Sequence, residues 1–418
     1  MNKWEWKKLG EVAKIYNGNS INANVKKERY SNVESGFPFI ATKDVGNDSE
    51  VDYENGIRIP FEEAGFKVAR KDTVLICAEG GSAGKKKCIL NEDVCFGNKL
   101  FAIDYNREKL IGKFVFYYTF EQSFTDEFQK LLSGIIGGVS SAKFKEIQIP
   151  IPPLSEQNRI VKFLDEEFSK IDTLKTNAET NLKNAKELFE TTLEKELNPP
   201  SRHSERSEES SAELPSGWEW KKMEDICEIT SSKRVYQSEW QNKGIPFLRI
   251  SDFVQLFENK KEIDAELFIS PEKYNELKMN NQVPEAGDIL ITARGTLGTC
   301  YIVKPNDCFY FQDGMITWLK NISNNIHPSF ITYLFKNSTF RRQIDKNQSG
   351  STVAYLSISM LKKFVLPLPP LSVQKEIVAR LDKLSEDVKR LEANYKQIIA
   401  NCDELKKSIL KKTFEGES

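Results

Sequence analysis

Two long stretches of the chain carry an apolar residue every three or four positions, with Lys, Glu, Asp and Asn between. In the C-terminal one, Val378, Leu381, Leu384, Val388, Leu391, Tyr395, Ile398, Cys402, Leu405 and Ile409 are spaced 3, 3, 4, 3, 4, 3, 4, 3, 4. That is close to the seam of a coiled coil, sustained over several heptads. The earlier one is looser: Val161, Leu164, Phe168, Ile171, Leu174, Ala178, Leu182, Ala185, Leu188 and Leu193. Helices this long would strand an apolar stripe far from any globular core unless the two pair with each other. Elsewhere the pattern is short. Runs such as Thr73–Ile76, Ile289–Thr292, Cys300–Val303 and Cys308–Phe311 read as strands, punctuated by Gly, Asn and Asp. Helical patterns at Leu110–Leu132 and Pro328–Ile344 complete an α+β reading, with helices over a mainly antiparallel sheet.

Each long helix is entered through the same stretch. Ile149-Pro-Ile-Pro-Pro-Leu-Ser-Glu-Gln-Asn-Arg-Ile-Val-Lys-Phe-Leu-Asp165 returns as Leu366-Pro-Leu-Pro-Pro-Leu-Ser-Val-Gln-Lys-Glu-Ile-Val-Ala-Arg-Leu-Asp382. Prolines cannot sit inside a helix, so they fix its start, and Ser155 and Ser372 are expected as N-caps. Other pairs recur with them: Trp4-Glu-Trp-Lys-Lys-Leu9 with Trp218-Glu-Trp-Lys-Lys-Met223, Gly36-Phe-Pro-Phe-Ile40 with Gly244-Ile-Pro-Phe-Leu248, and Lys71–Ile76 with Gly287–Thr292. The chain is a tandem duplication. Its expected parts are globular regions at 1–153 and 215–370, long helices at 154–197 and 371–414, and a flexible Ser/Glu/Arg linker at 198–214.

Composition narrows the function. Charged residues make up 29% of the 418, mean hydropathy is −0.49, and the net charge is −1. Long solvated helices account for the charge, and nucleic acid could be held only by local patches. The seven cysteines show no metal-ligand spacing, which suits reduced thiols in the cytoplasm. Cys88/Cys95 and Cys300/Cys308 are expected at matching core positions.

No catalytic set emerges. Glu79-Gly-Gly-Ser-Ala-Gly84-Lys85-Lys86 lacks the first glycine of a phosphate loop and has Lys where Ser or Thr should hold magnesium. Asn198-Pro-Pro-Ser201 lacks the aromatic of an amino-methyltransferase motif. His203 and His327 are the only histidines, too few for a triad or a zinc site. A binding scaffold with no metal and no cofactor of its own is the reading that remains. Basic and amide residues on predicted loops are the candidate DNA contacts: Lys43, Lys85, Lys86, Lys87 and Lys143 in the first half, and Lys233, Arg234, Arg249, Arg294, Gln312 and Tyr355 in the second. Arg and Lys pair with guanine edges or phosphates, and Gln with adenine.

Trp218-Glu-Trp-Lys-Lys, Gly287-Asp-Ile-Leu-Ile, Pro369-Pro-Leu-Ser-x-Gln374 and Ile377-Val-x-x-Leu381, each with its first-half counterpart, resemble the DNA-specificity subunit of type I restriction–modification systems. The resemblance implies two target-recognition domains, each reading one half of a split double-stranded DNA target. It implies an antiparallel coiled coil, with a seam through Leu164, Phe168, Ile171, Leu182, Leu381, Leu384, Val388, Leu391, Ile398 and Leu405. It implies that two methyltransferase subunits using S-adenosylmethionine dock on the chain, and that motor-nuclease subunits using ATP and magnesium join them. The Val378–Ile409 seam would span roughly 50 Å at about 1.5 Å per residue, against about 34 Å between half-sites one turn apart. Two other readings stay open: the recognition fragment of a fused restriction–methylation enzyme, and a coiled-coil adaptor without a DNA role.

Overall fold

The computed structural model describes residues 4–134, 137–198, 214–257, 265–346 and 355–415. The expected linker at 198–214 lies almost wholly outside them. The chain forms two compact units. Unit 1 is Met1–Thr180 with Tyr395–Ser418, and unit 2 is Asn181–Asn394.

In the first half, strands β1 (Glu5–Lys8), β2 (Ala13–Asn17), β3 (Phe37–Ile40), β4 (Arg58–Ile59), β5 (Val68–Ala69), β6 (Val74–Cys77), β7 (Lys87–Ile89), β8 (Val94–Phe96), β9 (Leu100–Tyr105) and β10 (Gln148–Ile151) alternate with helices. These helices are α1 (Leu9–Val12), α2 (Ala23–Tyr30), α3 (Gly112–Tyr118), α4 (Gln122–Leu131), α5 (Ser141–Phe144) and the long α6 (Leu154–Leu197). The second half follows a similar order, without a counterpart of β5 among the described residues: β11 (Glu219–Lys222), β12 (Glu228–Thr230), β13 (Ile245–Leu248), β14 (Phe268–Ile269), β15 (Ile289–Thr292), β16 (Cys300–Ile302), β17 (Tyr310–Phe311), β18 (Ile316–Lys320) and β19 (Val365–Leu368). Its helices are α7 (Met223–Ile226), α8 (Ile250–Phe257), α9 (Pro271–Met279), α10 (Pro328–Lys336), α11 (Ser338–Lys346), α12 (Ile358–Lys362) and α13 (Leu371–Glu415).

Each unit is built in layers. The main sheet of unit 1 runs β2-β9-β6-β7, all antiparallel, and that of unit 2 runs β12-β18-β15-β16. β6 and β15 are buried at every residue because both faces of their sheet are covered. One face meets the short helices: Val74 and Ile76 pack with Phe114, Phe124 and Phe144. The other meets a second, mixed sheet: Leu75 and Cys77 pack with Ile40 and Phe96. In that second sheet β3 runs parallel to β8, and β13 parallel to β17. The expected helices at Leu110–Leu132 and Pro328–Ile344 each resolve into two. The strand repeat registers one residue away from the sequence match. Val74 and Ile289 hold the same ladder position, so Asp288 stands where Thr73 does.

The repeated stretch before each long helix has a specific job. Gln157 is fully buried; its Nε2 donates to Pro152 O (2.8 Å) and Lys109 O (2.8 Å), and its Oε1 accepts from Ile111 N (2.9 Å). Gln374 repeats this with Pro369 O (2.8 Å), Asn325 O (3.0 Å) and His327 N (2.8 Å). The amide staples the loop before α3 or α10 to the helix start and has partners for all it buries. The last residue of the stretch repeats too. Tyr117 Oη donates to Asp165 (2.5 Å) and Tyr333 Oη to Asp382 (2.6 Å), and burial raises both phenol pKa values. Ser155 and Ser372 are not the N-caps. The helices begin at Leu154 and Leu371, because Pro153 and Pro370 occupy the cap and their carbonyls accept from Gln157 N and Gln374 N, each at 3.0 Å.

Within unit 1, α6 and the end of α13 run antiparallel. Asp172 meets Lys406 (2.5 Å) and Lys175 meets Asp403 (2.8 Å), one number rising as the other falls. Leu164, Phe168 and Ile171 lie in or against the core, as the seam requires. Within unit 2, Leu193 and Leu197 of α6 pack into one cluster with Ile377, Val378 and Leu381, and Glu196 pairs with Arg380 at 2.7 Å. Val388 is buried, and Leu182, Leu384 and Ile398 are half-buried. Leu391 and Leu405 are corrected: they are 36% and 48% exposed. At Leu405 the stripe is out of phase by one position. Cys402 is buried as expected, but the stem of Lys406 takes the next inner place, its amine over the Phe168 ring at 5.2 Å, and Leu410 is buried while Ile409 is half-buried.

Candidate nucleic-acid interface

β2 and β6 both pair antiparallel with β9, so their C-terminal ends emerge at one edge of the main sheet. The parallel pair β3/β8 ends there as well. Its following residues connect back through Gly97 N to Ile40 O (2.8 Å), and Ala78 N donates to Lys99 O (2.8 Å). Ladder geometry therefore gathers four loop starts: Asn17–Asn19, Ala41–Lys43, Ala78–Glu79 and Gly97–Lys99. Asn19, Ser20, Lys26, Thr42, Lys43, Asn98 and Lys99 line a cleft of about 220 Å³. A second concavity, sharing Asn98, is lined by Asn17, Glu79, Gly138 and Ser140. Lysines, amides and hydroxyls on a concave edge are the groups that hold phosphates and read base edges.

The backbone here is tightly specified. A Cβ on Gly18 would stand 1.9 Å from Phe96 O, so only glycine lets β2 pass β8. The buried Asp44 carboxylate accepts from Ala41 N (2.8 Å) and fixes the turn after β3. Lys26 lies over the Phe39 ring at 4.5 Å, and its burial lowers its pKa.

Unit 2 builds the same edge. Gln312 N donates to Leu248 O (2.9 Å), Ala293 N to Met315 O (2.9 Å), and Arg249 N to the buried Asp252 carboxylate (2.9 Å). Arg234 is paired with Asp313 (2.9 Å), and Arg249 with Glu266 (2.6 Å). Arg294 is exposed, with its guanidinium over the Tyr355 ring at 5.2 Å.

The structure thus gathers most of the predicted contacts. Lys43 lines the unit 1 cleft, and Lys86 reaches it through Nζ to Thr42 O (3.2 Å). Lys85 is exposed on the β6–β7 loop, and Lys143 is exposed on α5, whose N-cap Ser140 is in the second concavity. Lys233, Arg234, Arg249, Arg294, Gln312 and Tyr355 all stand at or beside strand ends of unit 2. The edge residues that sequence reading missed are Asn17, Asn19, Lys26, Asn98 and Lys99. The available signal was the glycine between two asparagines at Asn17-Gly18-Asn19, which marks a close backbone approach.

Lys87 is corrected. It is buried on β7 facing α3 and α4, its amine donating to Thr119 O and lying 4.3 Å from the Phe120 ring centroid. Burial pushes its pKa down to about 7 from 10.5. The unfolded chain binds the extra proton between those values, so stability rises with pH across that window. Lys87→Met is expected to flatten the rise. Thermal melts from pH 7 to 10 check it, and an unchanged slope would contradict it. The cysteine match is corrected too: Cys88 and Cys95 are fully buried, but Cys300 is half-buried and Cys308 exposed. The Gly80–Gly84 loop is a packing turn, since a Cβ on Gly84 (φ +71) would lie 2.6 Å from the Phe128 ring. Among the described residues no group of His, Cys, Asp and Glu could hold a metal ion, and no helix is long and apolar enough to cross a membrane.

Two stretches, residues 1–184 and 215–400, match the type I restriction modification DNA specificity domain. The chain belongs to that family. It is 22% identical over 421 residues to the type I restriction enzyme MjaVIII specificity subunit of Methanocaldococcus jannaschii, covering 99% of this chain and 92% of the relative. It is 27% identical over 322 residues to the EcoKI specificity subunit of Escherichia coli K12, covering 74% and 66%. Among solved structures, a chain from a study of complex assembly and conformational transition of the type I R-M system shares the fold, with a TM-score of 0.74, 19% identity and coverage of 99% and 98%. The HsdS subunit from Thermoanaerobacter tengcongensis gives 0.60, 20%, and coverage of 100% and 98%.

Proposed function

We propose that the chain is the non-catalytic DNA sequence-specificity subunit of a type I restriction–modification complex. Each globular part, 1–153 and 215–370, reads one half of a bipartite double-stranded target with the side chains at its sheet edge. The paired helices set the unread spacer and dock two methyltransferase subunits, which bring S-adenosylmethionine. Motor-nuclease subunits using ATP and magnesium complete the restriction complex, and all bond-making belongs to these partners. The observation that supports this most is a duplicated polar edge on one frame, carried by a chain of this family and furnished with different side chains in each copy. A near-neutral protein needs such local patches to bind DNA.

The helices provide the test. Seven residues inserted after Thr180 and seven after Asn394 keep the heptad phase and add about 10 Å. The accepted spacer is expected to lengthen by about three base pairs at 3.4 Å each, with both half-sites kept. Sequencing modified positions in the host checks it, and altered half-site bases with the original spacer would overturn it.

A further inference from the structure

The two units repeat several backbone hydrogen bonds at matching ladder positions, and these identify equivalent side chains without any sequence alignment. Gly97 N to Ile40 O matches Gln312 N to Leu248 O, so Gly97 and Gln312 are equivalent. Ala41 N to Asp44 matches Arg249 N to Asp252, which equates Ala41 with Arg249. Val139 N to Ala78 O (3.0 Å) matches Leu356 N to Ala293 O (2.9 Å). The residue after each alanine is Glu79 or Arg294, and the residue before each donor is Gly138 or Tyr355. The two positions also touch in each unit, though differently: Glu79 forms a backbone bridge with Gly138, and the Arg294 side chain lies over the Tyr355 ring.

The frame is therefore constant while these four positions differ in size and charge: Ala, Glu, Gly and Gly in unit 1, and Arg, Arg, Gln and Tyr in unit 2. Resting on the reading that each unit recognises one half-site, we propose that this quartet sets which bases each unit accepts, and that Arg294, braced by Tyr355, reads a guanine. The chemistry favours it. A guanidinium presents paired donors that match guanine O6 and N7. A ring face restrains the side chain without adding a carboxylate that must be displaced. Arg234 and Arg249 have such carboxylates, at Asp313 and at Glu266.

Unit 1 leaves space for a Cβ at both glycines. A Cβ on Gly97 would meet nothing closer than 3.7 Å and one on Gly138 nothing closer than 3.5 Å, and neither needs a left-handed backbone. The test maps modified bases by long-read sequencing in a host expressing the full chain with its modification subunits. Arg294→Ala is expected to relax one guanine of one half-site, cutting discrimination there about 5- to 150-fold. The combined graft Ala41→Arg, Glu79→Arg, Gly97→Gln, Gly138→Tyr is expected to change the other half-site alone. Uniformly weaker modification of an unchanged motif by Arg294→Ala would mark a phosphate contact and overturn the inference, as would a folded graft that keeps the motif. If the graft does not accumulate, Gln312→Ala replaces it, with a relaxed base in the unit 2 half-site expected and an unaltered motif overturning. A parallel arm exchanges residues 1–153 for those of another family member. If that changes one half-site while the quartet variants change none, the inference fails alone. If it changes both halves or neither, the two-reader function fails.

Discussion

Phe414→Ala is expected to destabilise unit 1 by about 3–5 kcal/mol, although Phe414 lies near the end of the second-half helix. Its ring is 5% exposed and sits 5.4 Å from Phe114 and 5.3 Å from Tyr118, centroid to centroid, in the core of the first-half globular part. Leu410 is buried beside it in the same core. Unit 2 has the matching arrangement, with Leu193 and Leu197 of α6 buried among Ile226, Phe330 and Leu334. Each globular core is thus completed by the end of the helix that follows the other one. Hydrogen exchange should show loosening of α3, α4 and β10 with unit 2 protection intact. Equal loosening of both units, or a loss below about 1 kcal/mol, would show that the tail is a surface appendage.

Gln157→Leu is expected to cost about 3 kcal/mol, since it strands the Ile111 N–H and removes the donors to Lys109 O and Pro152 O. Gln374→Leu should cost a similar amount in unit 2. Because the two staples sit in different units, the double variant should lose the sum, within about 0.5 kcal/mol. Denaturant unfolding of the four proteins measures this. Costs near zero would mean that the amides are tolerated rather than required.

Much of this architecture is legible in the sequence because duplication repeats its own signals. The proline stretch, the terminal Asp of that stretch and the Trp-Glu-Trp strands each have two copies, and each copy makes the same principal hydrogen bonds. The long helices are legible from periodicity, but their phase is not. Lys406 beats Leu405 to the inner face because its stem can pack while its amine reaches Asp172, a choice that only the partner helix decides. Lys87 misleads for a related reason. A run of three lysines suggests a solvated loop, yet both sheet faces are covered, so the third lysine turns inward to the Thr119 carbonyl instead of to water. The edge itself is hidden because its residues come from strands far apart in the chain. Asn17, Lys43, Glu79 and Asn98 become neighbours only once β2, β3, β6 and β8 are placed in order. Arg294 and Tyr355 are likewise brought together by the Leu356-to-Ala293 hydrogen bond.

The most direct measurement is a genome-wide map of modified bases in a host whose chain has residues 1–153 replaced by those of a relative with a different target. The account predicts a split motif in which one half-site is new while the spacer and the other half-site are retained. A motif altered in both halves, or one uninterrupted motif, would contradict it.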